Sequence, residues 1–268
     1  YKYSNGSWAL QAYIKPSWNG IGSDPDPLYA ENLENNLFYG LEFGTSLDLD
    51  DDGDTLLVGA QRDDSDLAGV HTTGFAPNGN ARWSGAAYVF SRSNTTWSEQ
   101  AYLKASNSEW ADFYGRVVAL SSDGSTVAVS ARGEDSVDTT ILHAGNLPTS
   151  SDDNEDGGAN GAVYVYRKSG SIWQEEAYIK PSNAFNGQQF SRVSINGDGT
   201  KLIVGAQRDN KLSAGINPTV DGGNSSKVGA FYQFSYDSTW TQTDYVKSSF
   251  TPRSVDWFGE ATKISGDG

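Results

Sequence analysis

The chain has 268 residues and a net charge of −15, because 34 Asp and Glu residues outnumber 19 Lys and Arg residues. A surface this acidic repels nucleic acid and anionic membranes, and no apolar run is long enough to span a bilayer, so neither nucleic-acid binding nor membrane insertion is expected. Cysteine is absent, which excludes disulfides and thiolate metal sites.

The first predicted element is a strand from Trp8 to Lys15, and its pattern occurs four times. Trp and Lys are seven residues apart in each copy, with a Tyr two residues before the Lys. In each copy the Trp, an Ala or Asp, and an Ile, Leu or Val stand at alternate positions and so share one face. A period of two is typical of a strand. The later copies are Trp97 to Lys104, Trp173 to Lys180 and Trp240 to Lys247.

A hairpin from Phe43 to Ala60 is the second repeated element. Its two strands are joined by a turn at Asp52 and Gly53, and an Asp-Gly pair is a strong hairpin signal because both turn residues must reach positive φ. The pattern returns at 114–131 and 189–206 and begins again at 258. In the third copy Phe190 takes the register of the expected Gly, so this copy is predicted to be distorted or one residue shorter.

A third strand follows each complete hairpin and ends in aromatic residues, as in GAAYVF at 85–90. One unit is therefore four strands in sequence, and four antiparallel strands repeated radially predict the blades of a β-propeller. The expected fold is all-β, with three full repeats and a half-blade at each end. The predicted divisions are a partial blade at 1–37, repeats at 38–112, 113–188 and 189–257, and the start of a further repeat at 258–268.

The unit carries three packing predictions. Small residues at Gly59-Ala60 and Gly205-Ala206 suit a place where two backbones approach closely. The repeated Trp is predicted to pack between blades, and the repeated Lys to end an outermost strand, where its charge discourages edge-to-edge pairing. Aromatic residues outside the repeated strands are the better candidates for contact with a partner: Trp18, Trp83, Trp110 and Trp257.

Long polar connections separate the repeated strands at 16–42, 61–84, 132–160 and 207–228, and residues 31–34 are predicted to form one helical turn. Ordered loops of this length are commonly functional. Acidic residues in two of these loops are candidates for a cation site. The alternative is that the acidic residues form a solvated face or pair with Arg62 and Arg208. The candidates are Asp63, Asp64, Asp66, Glu134, Asp135, Asp138, Asp152, Asp153, Glu155 and Asp156.

The turn of the first hairpin is the strongest candidate metal site. Asp48, Asp50 and Asp52 alternate along the chain, and Gly53 follows them. Alternate carboxylates in a sharply turning backbone can direct oxygen ligands at Ca²⁺, and Asp54 adds a fourth candidate oxygen. The structural alternative is a hairpin turn with an acidic rim.

The two histidines, His71 and His143, lie 11 and 12 residues after the closing Ala of their repeats, and Asn217 lies 11 residues after its own. This position is interpreted as a polar residue that hydrogen-bonds its loop. The sequence holds no H-E-x-x-H zinc motif, no G-x-S-x-G and no phosphate-binding loop with Lys. The many Asp and Glu residues leave a carboxylate pair for glycoside hydrolysis as an alternative, but no pair stands out, so no enzymatic activity is expected.

Four motifs recur together: Phe-Gly (Phe43-Gly44), the Asp-Gly turn, Val-Gly-Ala (58–60) and Gly-Ala-Val-Tyr-Val (161–165). Their combination resembles the FG-GAP repeat of integrin α-subunit propellers, and more closely that of microbial surface proteins with such repeats in tandem. The resemblance implies an extracellular propeller, seven-bladed in integrins, of which this chain is interpreted as a fragment. In the family's calcium loop a further acidic residue stands where this chain has Leu56.

The expected function is non-enzymatic adhesion or recognition at the cell surface, with acidic loops that bind a protein or glycan partner or Ca²⁺. One alternative is a structural subunit that self-associates into an extracellular filament or sheath. Another is an accessory propeller of a secreted hydrolase or lectin. Three sequons are candidates for N-glycosylation, at Asn5, Asn94 and Asn224.

Overall fold

The computed structural model describes residues 2–4, 6–18, 40–136, 139–149, 158–220, 227–249 and 256–268. The described ranges contain strands, turns and irregular segments but no helix. The predicted helical turn at 31–34, the sequons at Asn5 and Asn224, and the acidic candidates Asp138, Asp152, Asp153, Glu155 and Asp156 lie outside the described residues.

The described ranges form three five-stranded sheets and one short hairpin. The hairpin pairs β1 (Lys2–Ser4) with β2 (Ser7–Ala9). The first sheet contains β3 (Phe43–Leu49), β4 (Thr55–Ala60), β5 (Val70–His71), β6 (Ala86–Ser93) and β7 (Thr96–Leu103). The second contains β8 (Tyr114–Leu120), β9 (Thr126–Ala131), β10 (Leu142–His143), β11 (Ala162–Ser169) and β12 (Ile172–Ile179). The third contains β13 (Phe190–Ile195), β14 (Lys201–Ala206), β15 (Gly215–Ile216), β16 (Ala230–Asp237) and β17 (Thr239–Lys247).

Each sheet has the same antiparallel order, which in the first sheet is β3-β4-β6-β7-β5. The four long strands follow one another as predicted, so the all-β blade architecture is confirmed. The sequence did not predict the fifth strand, a two-residue segment of the long connection that returns to pair with the fourth strand. In the first sheet Val70 pairs with Leu103 and His71 with Tyr102.

Neighbouring sheets contact each other through their first strands. The Oγ of Ser46 in β3 accepts a hydrogen bond from the amide of Val118 in β8 at 3.1 Å. In the same way the Ser194 Oγ in β13 accepts one at 3.2 Å from the amide of Ile264, which follows the third sheet in the chain and lies in no strand. The hydrophobic clusters also cross the boundaries, since Leu57 of the first sheet belongs to the same buried cluster as Val127 of the second. The repeats therefore pack side by side, as blades do.

Glycines mark the closest approach between blades. A methyl group on Gly59 would overlap the carbonyl oxygen of Gly115, and one on Gly205 would overlap that of Gly259. The sequence-based expectation of a close backbone approach at these two positions is confirmed. At the position equivalent to Gly59 and Gly205 the second sheet has Ser130. The first strand of the next blade, β13, belongs to the shortened third copy.

We expect Gly59→Ala to lower the free energy of unfolding by about 1–3 kcal/mol, since the added methyl meets backbone that cannot move without separating two blades. Gly40→Ala is the matched control, because Gly40 has no positive φ and open space around it. Urea denaturation checks both variants. Equal stability of the two variants would show that the blades do not approach closely at Gly59.

The third copy is one residue shorter, which is one of the two outcomes that the sequence predicted. Phe190 pairs with Ala206, and the amide of Phe190 donates to Asn160, as that of Tyr114 donates to Ser84 in the second copy. Strand β13 has 6 residues, whereas β3 and β8 each have 7. The bulge at the start of the strand takes up the difference.

The repeated Trp does not have the same environment in every copy. Trp173 and Trp240 are buried, Trp97 is half-buried and Trp8 is 70% exposed. The packing prediction is therefore confirmed for the two buried residues and wrong for Trp8. Strand β2 (Ser7–Ala9) covers only Trp8 and Ala9 of the strand predicted from Trp8 to Lys15, and the described residues provide no sheet beneath Trp8.

A second contact between blades recurs next to the repeated Lys. The serine two residues after this Lys reaches the next blade, where it meets the residue two positions after the repeated Trp. Ser17 Oγ donates to Glu99 at 2.8 Å, Ser106 Oγ donates to Glu175 at 2.9 Å, and the Ser182 amide donates to Gln242 at 3.0 Å. Each blade is thus hydrogen-bonded to the blade before it through this serine.

Burial raises the pKa of Glu175 from 4.5 to about 8, although hydrogen bonds from Ser106 and Tyr166 oppose the shift. Between these two pH values the folded protein keeps a proton that the unfolded chain has lost, so this carboxyl makes stability fall as pH rises through the window. We expect Glu175→Gln, which copies Gln242 of the next blade, to flatten that fall in urea titrations. An unchanged pH profile would contradict the shift.

Candidate functional site

The two ends of each sheet carry different loops. The end at which the second strand ends and the third begins is called the loop end, since the long connections leave from it. The opposite end, with the Asp-Gly turns, is called the hairpin end.

The predicted metal ligands at the hairpin end of the first sheet are engaged in hydrogen bonds. Asp48 accepts from the amide of Leu120 in the next blade at 2.9 Å. Asp50 closes its own turn by accepting from the amides of Asp54 and Thr55 at 2.8 and 3.0 Å.

The two remaining candidates differ from each other. The side chain of Asp54 forms an ion pair with Arg92 at 2.8 Å, and Asp52 is exposed at the tip of the turn. Among the described residues, which include this turn, no three His, Asp or Glu side chains are grouped so that they could hold a metal ion. The structure does not bring the four carboxylates together, and Ca²⁺ at this turn stays a prediction.

Chelation tests that prediction. If Ca²⁺ binds at the turn, a chelator should lower the melting temperature, and Asp52→Ala should remove this response while leaving the chelated protein as stable as before. Asp52 suits the test because its side chain is exposed and closes no turn. A melting temperature that is the same with Ca²⁺ and with chelator would reject a cation there.

The first acidic residue of the long loops that begin at 61, 132 and 207, by contrast, is buried and paired with the repeated Lys. In the first sheet Asp63 is fully buried and lies 3.5 Å from Lys104 Nζ, which is also fully buried. Asp63 also accepts from the hydroxyls of Tyr88 and Tyr102 at 3.2 and 2.7 Å and from the amide of Ser65 at 3.0 Å. We call this arrangement the carboxylate cluster.

The same cluster occurs in the other two sheets. Its members in the second sheet are Glu134, Lys180, Tyr178 and Ser136, and in the third they are Asp209, Lys247, Tyr232, Tyr245 and Lys211. Each carboxylate comes three residues after the closing Ala, and each takes an amide hydrogen bond from the residue two positions further on. The regular spacing was visible in the sequence, but the burial was not.

One sequence-based interpretation is therefore wrong. Lys104, Lys180 and Lys247 do not guard an exposed edge, because the fifth strand covers the fourth and their charge is buried with a carboxylate, whereas Lys15 is exposed. Arg62 forms an ion pair with Glu42 at 3.1 Å, so it contacts an acidic residue outside its own loop. Asp63 and Glu134 bind lysine and tyrosine, so they anchor the loops to the sheet instead of facing solvent.

The other acidic residues organise the first long loop. Asp64 accepts from the amide of Trp83 at 2.8 Å, and Asp66 accepts from Asn78 and Asn80 at 2.6 and 2.9 Å. The last two hydrogen bonds lower the pKa of Asp66. These contacts close a loop of more than twenty residues upon itself.

The histidine position is structural as predicted in the first repeat, where His71 Nε2 lies 3.0 Å from the carbonyl oxygen of Ala68 in its own loop. In the third repeat the equivalent residue bonds a strand instead, because Asn217 accepts from the amide of Tyr245 at 2.8 Å. His143 lies in β10, the fifth strand of its sheet.

A cluster of arginines lies at the loop end: Arg62, Arg116, Arg132, Arg192 and Arg208. Two of them lie near the start of the first strands β8 and β13, and three follow the second strands. Arg192 forms an ion pair with Glu260 at 2.7 Å, and Arg116 donates to Gln61 at 2.9 Å. We call this group the arginine cluster.

Aromatic residues at the same end stack with these cations. The rings of Trp83 and Phe113 are stacked with centroids 5.8 Å apart, Arg62 lies over Trp83 at 5.5 Å, and Arg132 lies over Phe113 at 5.4 Å. Trp83 and Phe113 both have positive φ, of 58° and 53°. Trp110 stands nearby in the same connection as Phe113 and is 67% exposed.

Residues 97–143 match the family model of the FG-GAP repeat. Over this segment the chain is similar to the FG-GAP repeat. The matched segment runs from the fourth strand of the first sheet to the fifth strand of the second, so the FG-GAP sequence unit spans two structural blades. Together with the all-β sheets, the match fits an FG-GAP β-propeller-like protein, as the sequence motifs predicted.

No curated protein matches the chain. Within the part of the chain that the structure describes, nothing forms a helix with the length and apolar character needed to cross a membrane.

Proposed function

We propose that this chain is a non-enzymatic extracellular recognition module that binds a protein or glycan partner with its loop end. The observation that carries the proposal is the carboxylate cluster. It recurs in all three sheets and fixes the base of long connections whose sequences differ. A rigid scaffold with varied, anchored loops is the usual arrangement of a binding surface.

The exposed side chains also favour the loop end as the binding surface. Trp110 offers a large, rigid apolar surface beside Arg82, which lies over Trp83 at 4.1 Å. Exposed aromatic and arginine side chains are the residue types that contribute most to binding energy at interfaces. The hairpin end has fewer exposed aromatic and arginine side chains. It does expose an apolar side chain, since Ile172 there is 56% exposed.

The test is binding of the labelled chain to an array of defined glycans and to immobilised matrix proteins. We expect Trp110→Ala to weaken the binding that is found at least about tenfold, as loss of an interface anchor does. Ile172→Ala is the matched control and should bind normally, since it removes an exposed apolar side chain at the opposite end. Sensitivity to Ile172→Ala alone would place the surface at the hairpin end and contradict the proposal.

Self-association into a filament or sheath is the competing function. Sedimentation velocity at increasing concentration separates the two, because a recognition module should remain a monomer. Growth into large assemblies that Trp110→Ala does not affect would favour the structural role.

A further inference from the structure

The arginine cluster carries a local positive charge that the described residues around it do not balance. Five arginines are accompanied by two carboxylates, because Glu42 pairs with Arg62 and Glu260 pairs with Arg192. Among the described residues, Arg116, Arg132 and Arg208 form no ion pair with a carboxylate. This surplus of cations is unexpected in a chain with a net charge of −15.

Part of each of these guanidinium groups is withdrawn from water without gaining a partner. The Nε atoms of Arg116, Arg132 and Arg208 are buried and have no hydrogen-bond acceptor in the described structure. Burial, together with the charges of Arg116, Arg208 and Arg192, lowers the pKa of Arg132. A buried donor without an acceptor costs free energy, so an anion that supplies acceptor oxygens here would be bound favourably.

We propose that the arginine cluster is a binding site for a compact oxyanion, a carboxylate or a sulfate group. The planar guanidinium fork places two parallel N–H donors on such a group, which gives the strongest class of hydrogen bond. Arg132 is held ready by its contact with the Phe113 ring. The site goes beyond the proposed recognition function, since oxyanion binding can be measured whatever the partner is.

Arg132 is the member that makes the site specific to this place in the chain. The equivalent positions directly after the closing Ala in the other two repeats are Gln61 and Gln207. Those glutamines accept hydrogen bonds from Arg116 and Arg192 respectively, at 2.9 and 3.0 Å. Arg132 has no acceptor to offer, so at this repeat the acceptor must come from outside the cluster.

The charge of the whole molecule restricts the ligand to a small one. A chain of net charge −15 repels a long polyanion over a distance set by ionic strength. Glu42 and Glu260 stand within the same cluster and leave room for little negative charge. A single anionic group therefore fits the site, and a nucleic acid does not.

The test follows the Nε–H signals of arginine in ¹⁵N NMR spectra of the full chain, titrated with sodium acetate and, separately, sodium sulfate at an ionic strength matched with sodium chloride. We expect saturable shifts of the Arg132 and Arg116 signals. The Arg167 signal is an internal control, because its Nε already donates to Glu176 at 2.7 Å. It should not move with either anion.

Arg132→Gln is the decisive variant, since it installs the residue that the neighbouring repeats carry and should fold. The variant should bind the anion at least about tenfold more weakly, the loss of a charge-assisted hydrogen bond. Tighter binding of acetate would assign the site to a carboxylate group, and tighter binding of sulfate to a sulfate group. Shifts that fail to saturate with both anions, or an Arg132→Gln variant that binds as before, would overturn the proposal.

Discussion

Lys247→Met should lower the free energy of unfolding by about 3–5 kcal/mol, because it leaves the carboxylate of Asp209 buried without its counter-charge. Lys247 Nζ lies 2.7 Å from Asp209, and both side chains are almost completely inaccessible to solvent. Methionine is about the same length as lysine and leaves little empty space, so the loss reports the missing charge. Urea denaturation of the variant and the wild type measures it.

Two further variants separate this explanation from general damage. Lys263→Met changes an exposed lysine and should alter stability by no more than about 0.5 kcal/mol. The double variant Asp209→Leu with Lys247→Met removes both charges and should be more stable than Lys247→Met alone. Two results would contradict this explanation: a cost below about 1 kcal/mol for Lys247→Met, or a double variant that is less stable than Lys247→Met. Either would show that the buried Asp209 carboxylate does not depend on the charge of Lys247.

Trp240→Ala should cost about 3–5 kcal/mol, as the truncation of a buried large side chain does. Trp240 is 1% exposed, and its Nε1 donates to Glu176 of the preceding blade at 3.0 Å. The substitution thus opens a cavity and also removes a hydrogen bond between two blades. Thermal and urea denaturation should agree on the loss.

The matched control for Trp240 is provided by the repeat itself. Trp8 occupies the same sequence position but is 70% exposed, so Trp8→Ala should change stability by no more than about 0.5 kcal/mol. Equal costs for the two substitutions would mean that the repeat position, and not burial, determines the energy. That result would contradict the packing described for the third blade.

The features that the sequence predicted well are local. The Asp-Gly hairpins were found because turn chemistry and strand alternation lie within a few residues of each other. The close approach of blades could be inferred from Gly59 and Gly205, because only glycine allows two backbones so near. The one-residue shortening of the third copy could also be inferred locally, by counting residues between Phe190 and the Asp-Gly turn.

The features that it missed join distant or weakly patterned residues. The fifth strand has only two residues in each sheet, too few to show any periodicity. Lysine at the end of a strand usually indicates exposure, and the partner that buries Lys104 is Asp63, some forty residues earlier in a variable loop. The arginine cluster was missed because its members come from three repeats and from three different positions within the repeat.

Native-state hydrogen exchange is the most direct test that the long loops are anchored. The amides of Ser65, Ser136 and Lys211 donate to the buried carboxylates of their three sheets at 3.0, 3.2 and 3.0 Å. We expect these three amides to exchange as slowly as those of the central strands, although they lie outside every strand. Exchange as fast as at Gly74, in the middle of the first long loop, would show that the carboxylates do not hold the loops.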